Sequence, residues 1–395
     1  MEKIIVKNFG PINELDIEIK RFTVFIGTQG SGKSTISKLL TICRDLYWQT
    51  IVAQEGDAKK IFTNYGINTY FKPTTYIEYH CNELTINYED GKFVGKMGNL
   101  SHEAYKKIQE DMFAESALSA MRMMGYEKIE DIKENLTDAR LFVANIRTLM
   151  YIPAERIMAG QLASSLASLV VAQVPLSSSL MEYLSFFEKA QKEFPDYKVP
   201  FLNAELQNKD GEKYIKVHAD NHEELVPLAV CSSGLQSVFP MLMVIDYCVK
   251  NKYFDSFVIE EPELNLYPTN QRELLHFVLQ RYNNANEKDG INVILTTHSP
   301  YTLSILNVAL MANIVAEDAD FSEEVHAIVP KNEQLNPNDL AIYALSDDDQ
   351  LCCKSLLDEK TKLIGINALD AVSEYVGEQF EQLYKMYIQS KRRQA

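Results

Sequence analysis

The sequence predicts an α/β fold in which a mixed, mostly parallel sheet carries helices on its faces. Three observations predict it. The apolar run Phe22–Ile26 leads straight into a glycine-rich loop and then a helical pattern. A second apolar run, in SFVIEE, ends on two acids. From Ser232 onward, strand-length apolar runs alternate with helix-length ones, which is the rhythm of βαβ units.

Taken in order, KIIVKNF and LDIEIK read as strands across a GPI turn, and Leu15, Ile17 and Ile19 alternate with charges. FTVFI is a buried strand, followed by a helix from Lys33 to about Trp48. YIEYH and LTINYE alternate again, and Asp90-Gly91 signals a hairpin, so the first part ends in an antiparallel β lobe. Ser101 to Met150 has helical spacing and few turn signals, and reads as a helical insertion. A helix around Met181 to Lys192 and a short β stretch, YIKVHA, come next. Helices over about Leu235–Val249 and Thr269–Tyr282 then alternate with the strands SFVIEE and INVILTT. From Asn367 to Lys391 the residues Leu369, Val372, Val376, Phe380, Leu383 and Met386 fall roughly on one face, which predicts a helical C-terminal tail. The expected division is 1–95 and 221–345 for the two parts of the core, 96–220 for a mainly helical insertion, and 346–395 for the tail.

The 395 residues carry 55 acids against 39 Lys and Arg, a formal net charge of −16. That balance argues against a strong sequence-independent grip on nucleic acid, which rests on excess cations. A local basic groove stays compatible with it. The six cysteines form no zinc spacing, as expected of reduced thiols. MEKIIVKNFG has no signal-peptide pattern, so a cytoplasmic protein is expected. Ile157 to Met181 is uncharged, but its six serines, two glutamines and Pro175 are too polar for a lipid-facing helix.

GTQGSGKST, Gly27 to Thr35, fits the phosphate-loop pattern. Gly27, Gly30 and Gly32 let the backbone turn so that successive N–H groups, Ser31 included, face phosphate oxygens. Lys33 brings a point charge to the outer phosphates, and Ser34 offers a hydroxyl to Mg²⁺, with Thr35 following in the same turn. Glu260 and Glu261 end a strand, where ligands of open α/β sheets sit. One such carboxylate can hold Mg²⁺ and the other can polarise a water for attack on phosphate. Two acids after a strand are also a common turn. CSSGLQS places Ser233, Gly234 and Gln236 at a helix start, an anion site or a simple N-cap. His298 ends the strand ILTT before Ser299-Pro300, at the same sheet edge as Glu260.

The order phosphate loop, SSGLQ, acid pair, histidine resembles that of the ABC-type ATPases, including the SMC and OLD families. GTQGSGKST looks like their Walker A, SSGLQ like their LSGGQ signature, and VIEEPELNLYP like a Walker B and D-loop. His298 looks like their switch histidine. The resemblance covers the first ~95 residues and about Leu225 to Leu345. YIPAER, Tyr151 to Arg156, is similar to a stretch in small stand-alone members. Departures are Glu260 where Asp is usual, Gln29 where many relatives have Asn, and Leu235 for the second signature glycine. No Q-loop glutamine stands out beyond Gln161. The acids Asp347 to Asp349 are followed by fewer than fifty residues, too few for a Toprim domain.

The resemblance implies an ABC-type P-loop ATPase head with ATP and Mg²⁺ as cofactors. Gly27, Gly30, Ser31, Gly32, Lys33, Ser34, Thr35, Ser233, Gly234 and Gln236 would bind nucleotide. Ser34 and Glu260 would hold the metal, and Glu261 and His298 would be catalytic. It further implies a homo-dimer or higher oligomer, with Ser233 completing the partner's site. Small ATPases of this kind resemble the ATPase subunits of bacterial antiphage systems such as PARIS, in which a separate effector, often a nuclease, is controlled. The alternative implied is an SMC-like repair or recombination ATPase acting on DNA directly.

Overall fold

A computed structural model describes residues 1–53, 57–98, 149–162, 176–209, 212–219, 222–251, 253–283, 290–346, 353–365 and 379–386, with isolated positions at 111, 114, 168, 171, 172 and 174. The first layer follows from two-residue alternation. Strands β1 (Glu2–Phe9) and β2 (Ile12–Ile19) pair antiparallel, and Ile4, Val6, Leu15, Ile17 and Ile19 point into the core. At Asn8, with φ 52°, the pairing to the next strand slips, and the slip returns Phe9 to the buried side. After β3 (Phe22–Gly27), the strands β4 (Phe71–Cys81), β5 (Leu84–Glu89) and β6 (Lys92–Met97) complete a five-stranded antiparallel sheet in the order β2-β1-β4-β5-β6. Asp90 and Gly91 both sit at positive φ, the turn that an Asp-Gly pair favours between antiparallel strands.

The central sheet runs β15-β14-β3-β13-β12-β7. Its members besides β3 are β7 (Leu149–Ile152), β12 (Ser256–Glu260), β13 (Asn292–Thr297), β14 (Leu340–Leu345) and β15 (Cys353–Ser355). All neighbours pair parallel except β14 and β15. Both faces are covered, which explains the unbroken apolar runs of β3, β12 and β13. One face sends Phe22, Val24, Phe257, Ile259, Val293 and Leu295 into the larger core. Helices α5 (Ser178–Glu193), α6 (Ser233–Lys250), α7 (Pro268–Tyr282) and α8 (Pro300–Val315) close that core. The other face sends Phe25, Val258 and Ile294 toward α1 (Lys33–Cys43) and the antiparallel lobe, with Trp48 from α2 (Leu46–Ala53) and Phe62 from α3 (Lys60–Asn64). A short α4 (Ala159–Leu162) and α9 (Ser322–Ile328) are peripheral.

Three expectations change. Of the insertion expected over 101–150, Leu149 and Met150 instead begin β7, the edge strand beside β12. Nearly all the rest of it lies outside the described residues. Instead of one short β stretch before residue 220, β8 (Tyr197–Val199), β9 (Ala204–Lys209), β10 (Glu212–Ala219) and β11 (His222–Pro227) form a four-stranded antiparallel sheet. These strands are short and carry charges without a regular alternation, and they bury chiefly Val199, Leu206 and Ile215, so their periodic signal is faint. The tail segment 346–395 opens with β15, added to the sheet, and is helical over 379–386. Asp347 to Asp349 lie outside the described residues.

Candidate nucleotide site

Three adjacent parallel strands carry the site at their C-terminal ends. Register places Thr296 of β13 beside Glu260 of β12 on one side and Phe25 of β3 on the other. The chain leaves β3 into the glycine loop, β12 into Glu261 and β13 into His298, so all three sequence signals meet at one edge.

The loop is built around what glycine permits. A Cβ at Gly27 would stand 2.1 Å from the Leu345 carbonyl oxygen, so only a bare Cα fits there. Gly30 and Gly32 lie at φ 84° and 96°, and Gly32 is the residue that opens α1. The Ser31 hydroxyl donates to the Thr28 carbonyl at 2.8 Å. The Lys33 ammonium donates to the carbonyls of Gly27 at 3.0 Å and Thr28 at 2.7 Å, and is buried. Burial pushes this ammonium's pKa down, opposed by the carboxylates of Glu261, Glu263 and Glu260. Two of its three protons are therefore held by carbonyls of its own loop. Ser34 is exposed one position further on, and Thr35 is buried.

Glu260 is buried, and its two oxygens differ. Oε2 accepts from the Ala154 N–H at 3.3 Å, whereas Oε1 is enclosed near the Tyr151 phenol and, among the described residues, meets no donor in hydrogen-bond geometry. Burial, and then the Glu260 carboxylate beside it, raise the Tyr151 phenol well above its ordinary range. An orphaned carboxylate oxygen next to a loop that offers an exposed serine hydroxyl is a donor set that suits Mg²⁺. Among the described residues no group of three or more His, Cys, Asp or Glu gathers as a protein-only metal cage.

Glu261 adopts φ 42°, in the left-handed region. Its N–H donates to the Thr296 carbonyl at 2.9 Å, and its Oε1 lies 3.2 Å from Nε2 of His298. Glu263 holds the backbone of the histidine. Its Oε1 accepts from the Thr297 hydroxyl at 2.7 Å and from the His298 N–H at 2.9 Å. The sequence points to Glu260, Glu261 and His298 and offers Glu263 only as a fallback base, not as the partner of His298. Its position three residues after Glu260, inside PELN, was the available signal.

Arg156 was also missed, although YIPAER was noted. Its guanidinium is fully buried and donates to the carbonyls of Pro153, Glu260 and Glu261. The α6 signature lies beside the loop that follows the acids. A Cβ at Gly234 would come 2.9 Å from the Asn265 carbonyl oxygen. Ser232 and Ser233 are exposed at the helix start, and neither hydroxyl is spent on capping the helix. Gln236 turns inward instead: its amide donates to the carbonyls of Ala229 at 3.0 Å and Cys231 at 2.9 Å. Gln161 is exposed in α4.

Residues 156–304 match the family described as "AAA domain, putative AbiEii toxin, Type IV TA system", and residues 1–46 match one described as "AAA ATPase domain". Both matched segments are AAA-type ATPase sequence. The longer one begins at Arg156 and takes in the signature, the acid pair and His298, while the shorter contains the glycine loop. No curated protein matches the chain. Among solved structures, an SMC head bound to the C-terminal winged-helix domain of ScpA is 12% identical with a TM-score of 0.43, covering 89% of this chain and 96% of that one. An SMC head domain from Thermotoga maritima is 12% identical with a TM-score of 0.37, covering 77% and 90%. A dimeric bacterial ABC transporter cassette is 13% identical with a TM-score of 0.29, covering 76% and 90%. Among the described residues no helix is long and apolar enough to cross a membrane.

Proposed function

We propose that this chain is a Mg²⁺-dependent ATPase that pairs around ATP and uses the cycle to control a separate effector protein, a nuclease, in cytoplasmic antiphage defence. The observation that carries the ATPase part is the Glu261–His298 contact at the end of the strand next to the one that feeds the Lys33 loop. Lys33 and the loop N–H groups would hold the β- and γ-phosphates. Ser34 and Glu260 would hold Mg²⁺, which when bound neutralises phosphate charge. Glu261 would accept a proton from the attacking water as the water oxygen bonds to the γ-phosphorus and the bond to the β-phosphate oxygen breaks. His298 would sense the γ-phosphate and orient Glu261.

The exposed start of α6, with Ser233 bare, supports a role for that serine in a partner's site rather than its own. The matched family's description names a toxin of a toxin–antitoxin system, which supports work alongside a second protein. The test has two arms. ATP turnover is measured with and without Mg²⁺, and the chain is co-expressed with the protein encoded beside it and run on size exclusion with and without ATP. Turnover together with ATP-controlled co-migration is expected. Turnover without any co-migration, together with tight salt-sensitive DNA binding by the chain alone, would replace the effector reading with direct action on DNA.

A further inference from the structure

The stretch YIPAER holds a second residue that bears on the acids. Arg156 clamps their backbone, and Tyr151, earlier in the same stretch, lies beside one of their carboxylates. Register sets Tyr151 of β7 opposite Val258 of β12. Side chains two apart on a strand share a face, so Glu260 points to the same face as Val258. That face also receives Tyr151, and α1 and the antiparallel lobe cover it.

Each of the two groups lacks what the other offers. Tyr151 is 1% exposed, and its hydroxyl is enclosed without a partner in hydrogen-bond geometry among the described residues. Oε1 of Glu260 is enclosed in the same way. A buried tyrosine hydroxyl usually finds a partner, and a donor or acceptor left unpaired carries its full desolvation cost. The two groups are neighbours: after burial, the Glu260 carboxylate is the charge that most raises the phenol's pKa. The Tyr151 ring is fixed in the core, with the Tyr65 ring edge-on to it at 6.2 Å. The Lys33 ammonium also feels Glu260, but it donates to the carbonyls of Gly27 and Thr28.

We propose that Tyr151 is a positioning residue for Glu260: its phenol donates to Oε1 while the Ala154 N–H holds Oε2, and the two donors together fix the carboxylate for a divalent cation. This rests on the reading of Glu260 as a metal ligand. A glutamate side chain is long and flexible, and a carboxylate free to swing on it would meet a cation in many poses. Held from both sides, it presents one. A carboxylate offers about four lone-pair sites, so two donors leave two for the cation. An O–H···O⁻ bond is short and charge-assisted, and such a partner tunes the metal affinity of the carboxylate it holds.

The test begins with the full chain free of metal and nucleotide. Tyr151→Phe keeps the ring and deletes the hydroxyl. Its urea midpoint should fall below that of the parent, and the same change in a Glu260→Ala background should leave the midpoint where Glu260→Ala alone puts it. Equal shifts in the two backgrounds, or a midpoint that rises in Tyr151→Phe, would show a hydroxyl that does nothing for Glu260, and the proposal falls. The second readout is Mn²⁺ affinity, followed by electron paramagnetic resonance with a non-hydrolysable ATP analogue, so that no turnover enters. Tyr151→Phe should weaken Mn²⁺ binding about tenfold or more, while affinity for the analogue without metal stays at the parent value. Parent-like Mn²⁺ affinity in Tyr151→Phe, with Glu260→Ala weakened, overturns the positioning role alone. Parent-like Mn²⁺ affinity in Glu260→Ala, or a parent that takes up no Mn²⁺, overturns the metal reading of Glu260 itself, and the proposal falls with it.

Discussion

Arg156 donates to the carbonyls of Glu260 and Glu261 with one guanidinium, and so clamps the backbone on which both carboxylates depend. Glu261 at φ 42° pays a conformational cost that an ordinary turn would avoid, and the clamp offsets it. A fully buried arginine spent on three carbonyls, Pro153 included, is a positioning group for the acid pair. Replacing it with alanine strands those carbonyls. We expect Arg156→Ala to lose about 2–4 kcal/mol of stability in urea titration. Arg156→Lys, which restores charge but only one donor head, should recover part of the stability and little of the turnover. Full turnover in the lysine variant would show that the clamp is structural alone.

Glu261 is the proposed base, and its carboxylate oxygen lies 3.2 Å from His298 Nε2. Glu261→Gln keeps the shape and the left-handed turn while removing proton affinity. ATP binding should persist and turnover should fall by about 10²-fold or more. Retained turnover would move the base to Glu260 or Glu263.

Lys33 already sits in the loop with its ammonium on two carbonyls. Lys33→Ala removes the main cation opposite the phosphates. Calorimetry should show no ATP binding, while the chain without nucleotide still folds with a modestly lower melting temperature, because the carbonyls of Gly27 and Thr28 lose a donor.

The acid Glu182 of α5 gives a pH prediction that does not involve nucleotide. Burial, and then the Asp45 carboxylate, push its pKa from the ordinary 4.5 up to about 7. Below the unfolded value the proton is bound in both states, and above about 7 it is lost from both. Between them only the folded chain holds it, so stability is fully present at the acid end and falls as pH rises through this window. The loss is at most about 3 kcal/mol. Urea midpoints across pH 4.5 to 8 should show that slope in the parent and a flatter one in Glu182→Gln.

The strands and acids of the site were legible because their signals are local. Gly27 to Thr35 needs only its own turn, and Glu260 and His298 each end a continuous apolar run that only a doubly covered strand explains. Arg156 and Glu263 were not legible, since each acts on backbone atoms far along the chain: Arg156 on residues 260 and 261, Glu263 on residue 298. A single arginine or glutamate carries no periodicity that says which carbonyl or N–H it will meet. Gln236 shows the opposite case. Its place in SSGLQ suggested a ligand contact, yet its amide is folded back on Ala229 and Cys231. The small sheet from Tyr197 to Pro227 was half legible, because its strands are short and bury few apolar side chains each.

Ser233 separates a shared site from a solitary one. It is exposed at the start of α6, and its neighbour Gly234 is held against the Asn265 carbonyl by a contact that excludes a side chain. That packing ties the helix start to the loop following Glu260 and Glu261, while the hydroxyl faces outward. On the proposed reading, a serine placed this way meets the γ-phosphate of a nucleotide that a second copy brings to it. Ser233→Arg fills the space with a bulky cation and touches nothing buried, so the fold and the chain's own loop stay intact. ATP binding to the isolated chain should match the parent within error in calorimetry. Turnover and ATP-dependent association should both be lost. Mixing Ser233→Arg with Lys33→Ala gives a sharper arm, because one chain keeps an intact loop and the other an intact serine. A pair that shares sites recovers one working site of two, and partial turnover appears only in the mixture. If Ser233→Arg alone hydrolyses ATP at the parent rate, each chain completes its own site and the shared arrangement is wrong.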